Sequence, residues 1–202
     1  MPMRVAVAVS GRGSNLQALL DSLPAGAPAM VVLVLSNRVA AGGLEIARRY
    51  RIPAEILSDP GDATAWLEAL ERAQADLLVL AGYLRLVPPG VIDRWRGRII
   101  NIHPALLPAF GGPGMYGRRV HEAVLRSGAR ESGASVHLVD EVYDRGEVLA
   151  QERVPVLPDD TVDSLAARVL AAEHRLLPAV VLAAAQAGQP VPLVMSGPCP
   201  AR

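Results

Sequence analysis

The sequence predicts an α/β fold: a doubly wound, mostly parallel sheet with an antiparallel C-terminal hairpin and a long C-terminal helix. Three observations carry this. Short runs of Val, Ile and Leu alternate with segments of helical spacing through the first half of the chain, the pattern of a parallel sheet covered on both faces. Runs such as MVVLVL and DLLVLAG are apolar without alternation, as strands buried on both sides are. In the last third, two strand-like runs are joined by a turn with no helix between them, and one long helical run follows.

Each element has a local reason. Val5 to Val9 is a short apolar run that stops at SGRGSN, after which LQALLDSL has helical spacing. Met30 to Leu35 is the second strand and ends at Ser36-Asn37. Gly42 to Tyr50 is helical and leads to a short strand, Pro53 to Leu57. Thr64 to Ala73 again has helical spacing, ADLLVLAGY is the fourth strand, and a short helix lies near Pro89 to Trp95. RIINIH is the fifth strand. ASVHLVD and VLAQERVPV flank the turn DRGE and so form an antiparallel pair. The run from Asp160 to Gly188 opens on Asp/Thr capping candidates and closes on glycine. It is one helix, with a bend expected where Pro178 lacks a backbone donor. Residues after about Pro192 read as a loose tail.

Composition narrows the function. The chain has 202 residues, enough for one sizeable core. Acids and bases number 20 each, which argues against a nucleic-acid groove or a basic membrane face. Every base other than histidine is arginine, so Schiff-base and P-loop lysine chemistry are excluded. The one cysteine, Cys199, sits in the tail, and no disulfide framework is expected. No leader or bilayer-spanning run is read, so a cytoplasmic location is expected.

Three stretches fall at the carboxyl ends of the strands, where open α/β sheets bind ligands. In SGRGSN, Gly11 and Gly13 let the backbone approach an anion, and Ser14 and Asn15 add donors at a helix N-terminus. The loop is not a dinucleotide fingerprint: Leu16 stands where the third glycine belongs, and strand two ends without an acid. A small phosphate monoester fits it, and so does an ordinary tight turn with no ligand. Asn101 and His103 lie two apart on a strand and share one face. A histidine beside proline is commonly structural, but an amide and an imidazole buried together need partners or a task. The four histidines, His103, His121, His137 and His174, lack metal-ligand spacing. Asp140, Glu141 and Asp144 crowd the hairpin. They suit a solvated acidic turn, or, if the hairpin folds over the sheet edge, a carboxylate that reaches His103 and raises its pKa.

Together these stretches resemble the folate-dependent formyltransferases. The resemblance spans about residues 4 to 188 and rests on SGRGSNLQALL, LVLAGYLRLV, RIINIHPALLPAF, SGASVHLVDEVYDRGEVLAQ and RVLAAEH. NIHPALLP marks the wider group, and the GRGSN loop narrows it to the glycinamide ribonucleotide branch. The resemblance implies a Rossmann-like formyltransferase fold, with one domain over residues 1–190 and a tail over 191–202. It implies that Gly13, Ser14 and Asn15 hold a ribotide phosphate and that Glu173 holds the ribose hydroxyls. It further implies that the backbone of Leu84, Arg85, Leu86 and Val87, with Val139, Asp140 and Glu141 and the side chain of Asn101, holds the pterin-like ring of 10-formyltetrahydrofolate. Asn101, His103 and Asp144 would form the catalytic group. The family's folate-contacting arginine early in the third helix is missing, with Ala63 or a neighbour in its place, and Arg12 or Arg85 are candidates to substitute.

The activity implied is formyl transfer from 10-formyltetrahydrofolate to the amine of N1-(5-phospho-D-ribosyl)glycinamide, in purine biosynthesis. Charge gathers on the formyl oxygen as the amine attacks, and Asn101 with a cationic His103 would face it, Asp144 keeping the ring charged. No metal is implied. Small molecules are the expected partners, with no nucleic acid or membrane, and the protein is expected as a monomer or homodimer. Two rivals remain. A formyltetrahydrofolate deformylase-like hydrolase would use the same three residues, with an additional N-terminal domain for which the first strand is expected to leave no room. A non-catalytic phosphosugar sensor would need the glycine loop but not Asn101, His103 and Asp144 together.

Overall fold

The computed structural model describes residues 1–195. Cys199 and most of the expected tail lie outside the described residues. A seven-stranded sheet forms the centre: β1 (Met3–Val9), β2 (Ala29–Ser36), β3 (Ala54–Ile56), β4 (Leu77–Leu80), β5 (Ile99–His103), β6 (Glu131–Leu138) and β7 (Val148–Pro155). The order across the sheet is β3-β2-β1-β4-β5-β6-β7. Strands β1 to β5 pair in parallel, whereas β6 pairs antiparallel with both β5 and β7. The expected hairpin is present, and its first strand also joins the parallel sheet.

The alternation of β1 divides the core. Val5, Val7 and Val9 face one side, with α1 (Ser14–Asp21), α2 (Gly42–Arg49), α5 (Arg118–Ser127) and α6 (Val162–Ala187). Ala6 and Ala8 face the other, with α3 (Ala63–Arg72) and α4 (Pro89–Arg94). Trp66 of α3 is fully buried there and meets the Tyr83 ring edge-on at 5.3 Å. The unbroken apolar strands are thus explained by helices on both faces. Helix α5 lies between RIINIH and ASVHLVD, where the sequence reading assigned no element. Its buried face is Val120, His121 and Val124.

Helix α6 begins at a reciprocal cap. Thr161 Oγ1 accepts from the Ser164 N–H at 3.1 Å, and Ser164 Oγ accepts from the Thr161 N–H at 2.9 Å. The helix runs through Pro178, whose ring is buried, and stops at Gly188. Among the described residues no helix is long and apolar enough to cross a membrane.

Candidate active site

Strand β5 carries the first two candidates. Ile100 and Ile102 belong to the core on one face, so Asn101 and His103 point to the other. Antiparallel pairing sets His137 directly opposite Asn101 and Ser135 opposite His103. The segment after His103 is pinned from below. Ser135 Oγ donates to the Ala105 carbonyl at 2.6 Å and accepts from the Leu107 N–H, while Gln151 Nε2 donates to the Leu107 carbonyl. The proline- and glycine-rich loop therefore starts from a fixed base.

Asp144 reaches this cluster from the β6–β7 connection. That segment leaves β6 with the Val139 N–H donating to the Ile99 carbonyl and returns with Asp144 Oδ1 3.5 Å from His103 Nδ1 and 3.5 Å from His137 Nε2. Asp144 Oδ2 accepts from the Gly112 N–H at 2.9 Å. Its side chain is only 9% exposed, so the hairpin is no solvated acidic turn at this residue. Burial raises the Asp144 carboxyl, but the donors around it, the Gly112 N–H among them, outweigh it and hold the group below the usual carboxylate range.

The expectation that Asp144 keeps His103 cationic is corrected. His103 is 3% exposed, and burial pushes its pKa down further than Asp144 and the Phe110 carbonyl lift it. Its Nε2 lies 2.9 Å from the Phe110 carbonyl oxygen, an acceptor only, so the single proton of the neutral ring sits there. Nδ1 is left unprotonated and faces Asp144 at a distance too long for a hydrogen bond.

A cavity of about 800 Å³ opens beside this cluster and extends across the carboxyl edge of the sheet. Gly13, Ser14, Asn15 and Glu173 are part of its lining. Gly13 caps α1 with φ 81°. A Cβ there would stand 2.7 Å from Gly43 Cα, so this glycine is demanded by its fit against α2, whereas Gly11 has open space where a Cβ would be. Asn15 Nδ2 donates to Glu173 Oε2 at 2.6 Å across the two helices. Glu173 is 8% exposed, and burial pushes its carboxyl up to about 7 against that hydrogen bond. Asn15 Oδ1 is buried with no partner among the described residues.

Leu84, Arg85, Leu86, Val87, Val139 and Asp140 also line the cavity. Leu84 and Leu86 are exposed at its mouth. The Leu84 N–H is held by Ser10 Oγ at 2.9 Å, which ties this segment to the end of β1. The Glu141 side chain pairs with Arg96 and is not part of the lining. Ala63 begins α3 beneath Gly90 and is not part of the lining. Both proposed substitutes, Arg12 and Arg85, are part of it.

Sequence reading missed two histidines here. His137 and His121 are buried and line the cavity. His137 sits in the quoted ASVHLVD, and the signal that places it is the register of β6 on β5. His121 lies on the buried face of α5. Met115, Tyr116 and Tyr143 add further lining.

Comparison with known proteins gives a consistent picture. The formyl transferase family matches residues 3–181. The chloroplastic phosphoribosylglycinamide formyltransferases of Vigna unguiculata and Arabidopsis thaliana are each 44% identical to the chain, over 88% of it. The chain spans 59% and 64% of their lengths. The crystal structure of phosphoribosylglycinamide formyltransferase from Anaplasma phagocytophilum superimposes with a TM-score of 0.87 at 38% identity, covering 93% of this chain and 88% of that one. A match over nearly the whole sheet, with the Asn101–His103 strand and the Asp144 loop inside it, leaves one conclusion: this chain belongs to the formyl transferase family.

Proposed function

We propose that the protein transfers a formyl group from 10-formyltetrahydrofolate to the amine of N1-(5-phospho-D-ribosyl)glycinamide. The observation that carries this is the meeting of Asn101, His103 and Asp144 in the lining of one cavity. One set of its lining residues suits a phosphosugar and another a flat apolar ring. Ser14 and Asn15 supply donors at the N-terminus of α1 for the phosphate, and the unpartnered Asn15 Oδ1 with Glu173 suits ribose hydroxyls. Leu84, Leu86, Val87 and Val139 make an apolar slot for the folate ring, with peptide groups and Asp140 at its edge. Each ligand draws on both halves of the chain, Glu173 joining Gly13 to Asn15 at the ribotide and Leu84 to Val87 joining Val139 and Asp140 at the folate.

The folate, when bound, supplies the electrophilic formyl carbon. Asn101 presents an amide N–H to the formyl oxygen, where charge grows as the amine attacks. A donor so placed contributes about 2.7–4 kcal/mol. His103 enters neutral and takes the amine's proton on Nδ1. Asp144 faces that nitrogen and stabilises the cation that results, while the Phe110 carbonyl holds the other ring proton and with it the tautomer. The ring then returns the proton toward the departing nitrogen. Burial of His103 serves this role, because a ring already charged has no base to offer.

Purified protein, glycinamide ribotide and 10-formyltetrahydrofolate should yield formylated ribotide, with free formate a minor product. His103→Ala should lower kcat by about 10²–10⁴-fold and leave ribotide affinity intact. Formate release without transfer would favour the hydrolase, and binding of both ligands without turnover the sensor.

A further inference from the structure

His137 is absent from the catalytic group described above, yet it touches two of its members. Its Nε2 lies 3.0 Å from Asn101 Nδ2 and 3.5 Å from Asp144 Oδ1, and its Nδ1 lies 2.7 Å from the Leu138 carbonyl oxygen. The ring is 2% exposed. The antiparallel register that sets residue 137 against residue 101 makes the contact a property of the sheet and not of a loop.

The ring's partners assign its protons. A carbonyl oxygen only accepts, so the short contact at Nδ1 requires a proton on that nitrogen. A neutral ring then has a lone pair at Nε2, and the Asn101 amide, presenting nitrogen, donates to it. Asp144 stands too far from Nε2 for a hydrogen bond and offers it no proton. An asparagine amide is otherwise free to turn over about its last torsion, exchanging N–H₂ for C=O at almost no cost. In a site where charge collects on an oxygen, that exchange turns a stabilising donor into a repelling dipole.

Resting on the transfer reaction proposed above, we infer that His137 is a positioning residue: it accepts one N–H of Asn101 and so holds the amide with nitrogen, not oxygen, toward the cluster. His137 touches no reacting atom. It acts only through the orientation of Asn101, and its removal weakens the reaction without weakening either ligand.

The test is a double-mutant cycle in the transfer assay, with a spectroscopic measurement on the ligand-free protein. His137→Phe, which keeps a ring but removes the acceptor, should lower kcat by about 10–100-fold, with KM for both substrates nearly unchanged. That is less than the ~10²–10³ expected for losing the donor itself. In an Asn101→Ala background the same change should alter kcat by less than about twofold. His137→Gln, which restores an acceptor, should recover most of the loss. Additive effects, or a folded His137→Gln as impaired as His137→Phe, would overturn the assignment. Nitrogen NMR of the unsubstituted protein should find a proton on His137 Nδ1 and a lone pair on Nε2, and a proton on Nε2 would overturn the assignment even if His137→Phe fails to fold. Absence of transfer in the unsubstituted protein would instead refute the function on which the inference rests, and the NMR result would still decide the hydrogen bond.

Discussion

Glu173→Gln separates what the site needs from what the fold wants. Burial lifts the Glu173 carboxyl from 4.5 to about 7, and each tenfold change in proton affinity is worth about 1.4 kcal/mol. The folded protein therefore binds this proton more tightly than the unfolded chain. Stability is complete below pH 4.5 and is lost as pH rises through 7, by roughly 3 kcal/mol in all. Glutamine has the same shape and no charge to bury, and its N–H₂ can satisfy the orphaned Asn15 Oδ1. Urea unfolding should find the variant and the unsubstituted protein nearly equal near pH 5. Near pH 8.5 the variant should be about 3 kcal/mol more stable, with a Tm higher by about 6–12 °C. Ribotide affinity should fall by about tenfold or more, since a hydrogen bond to a charged acceptor is worth about 1.5–3 kcal/mol. Groups common to both proteins cancel in the difference. A stability gap independent of pH, or a variant less stable at pH 8.5, would show that Glu173 is not charged and buried at the cost argued here.

Asp144→Asn should lower the saturating rate and shift its acid limb. That limb reports loss of neutral His103 and lies below 6.5. Removing the charge that lifts His103 moves it lower still, as a kcat–pH profile would record. Gly146→Ala places a Cβ 1.8 Å from the Leu138 carbonyl oxygen. It should cost about 1–3 kcal/mol in urea unfolding and depress kcat by displacing Asp144 two residues earlier. Thr161→Ala removes half of the reciprocal cap on α6 and should cost about 1 kcal/mol, with kinetics unchanged.

Much of this was readable from the chain because it is local. Strand β4 is wholly apolar, and β1, β2 and β5 carry apolar runs on both faces, since helices cover both sides of the sheet. Asn101 and His103 were legible as a pair because a strand's period of two fixes their shared face. What was not legible is set by pairing and packing. His137 meets Asn101 only through the register of β6 on β5. The charge on His103 followed from a competition between desolvation and Asp144 that spacing does not decide. Glu141 and Asp144 sit in one acidic cluster, yet one turns out to Arg96 and the other in to His103, a difference that only the loop's path determines.

The tight fit of α2 against the GRGSN loop extends the site's influence to residues that never meet a ligand. Gly43 sends its N–H to the Gly11 carbonyl at 3.2 Å and leaves 2.6 Å between a would-be Cβ and Val9 Cγ2. A Cβ on Gly42 would stand 2.9 Å from the Arg12 carbonyl oxygen. The cradle thus borrows its stiffness from a helix behind it. In a saturation map of the gene, Gly42 and Gly43 would score beside the true ligand contacts, and a surveyor reading only that map would draw the pocket one layer too deep.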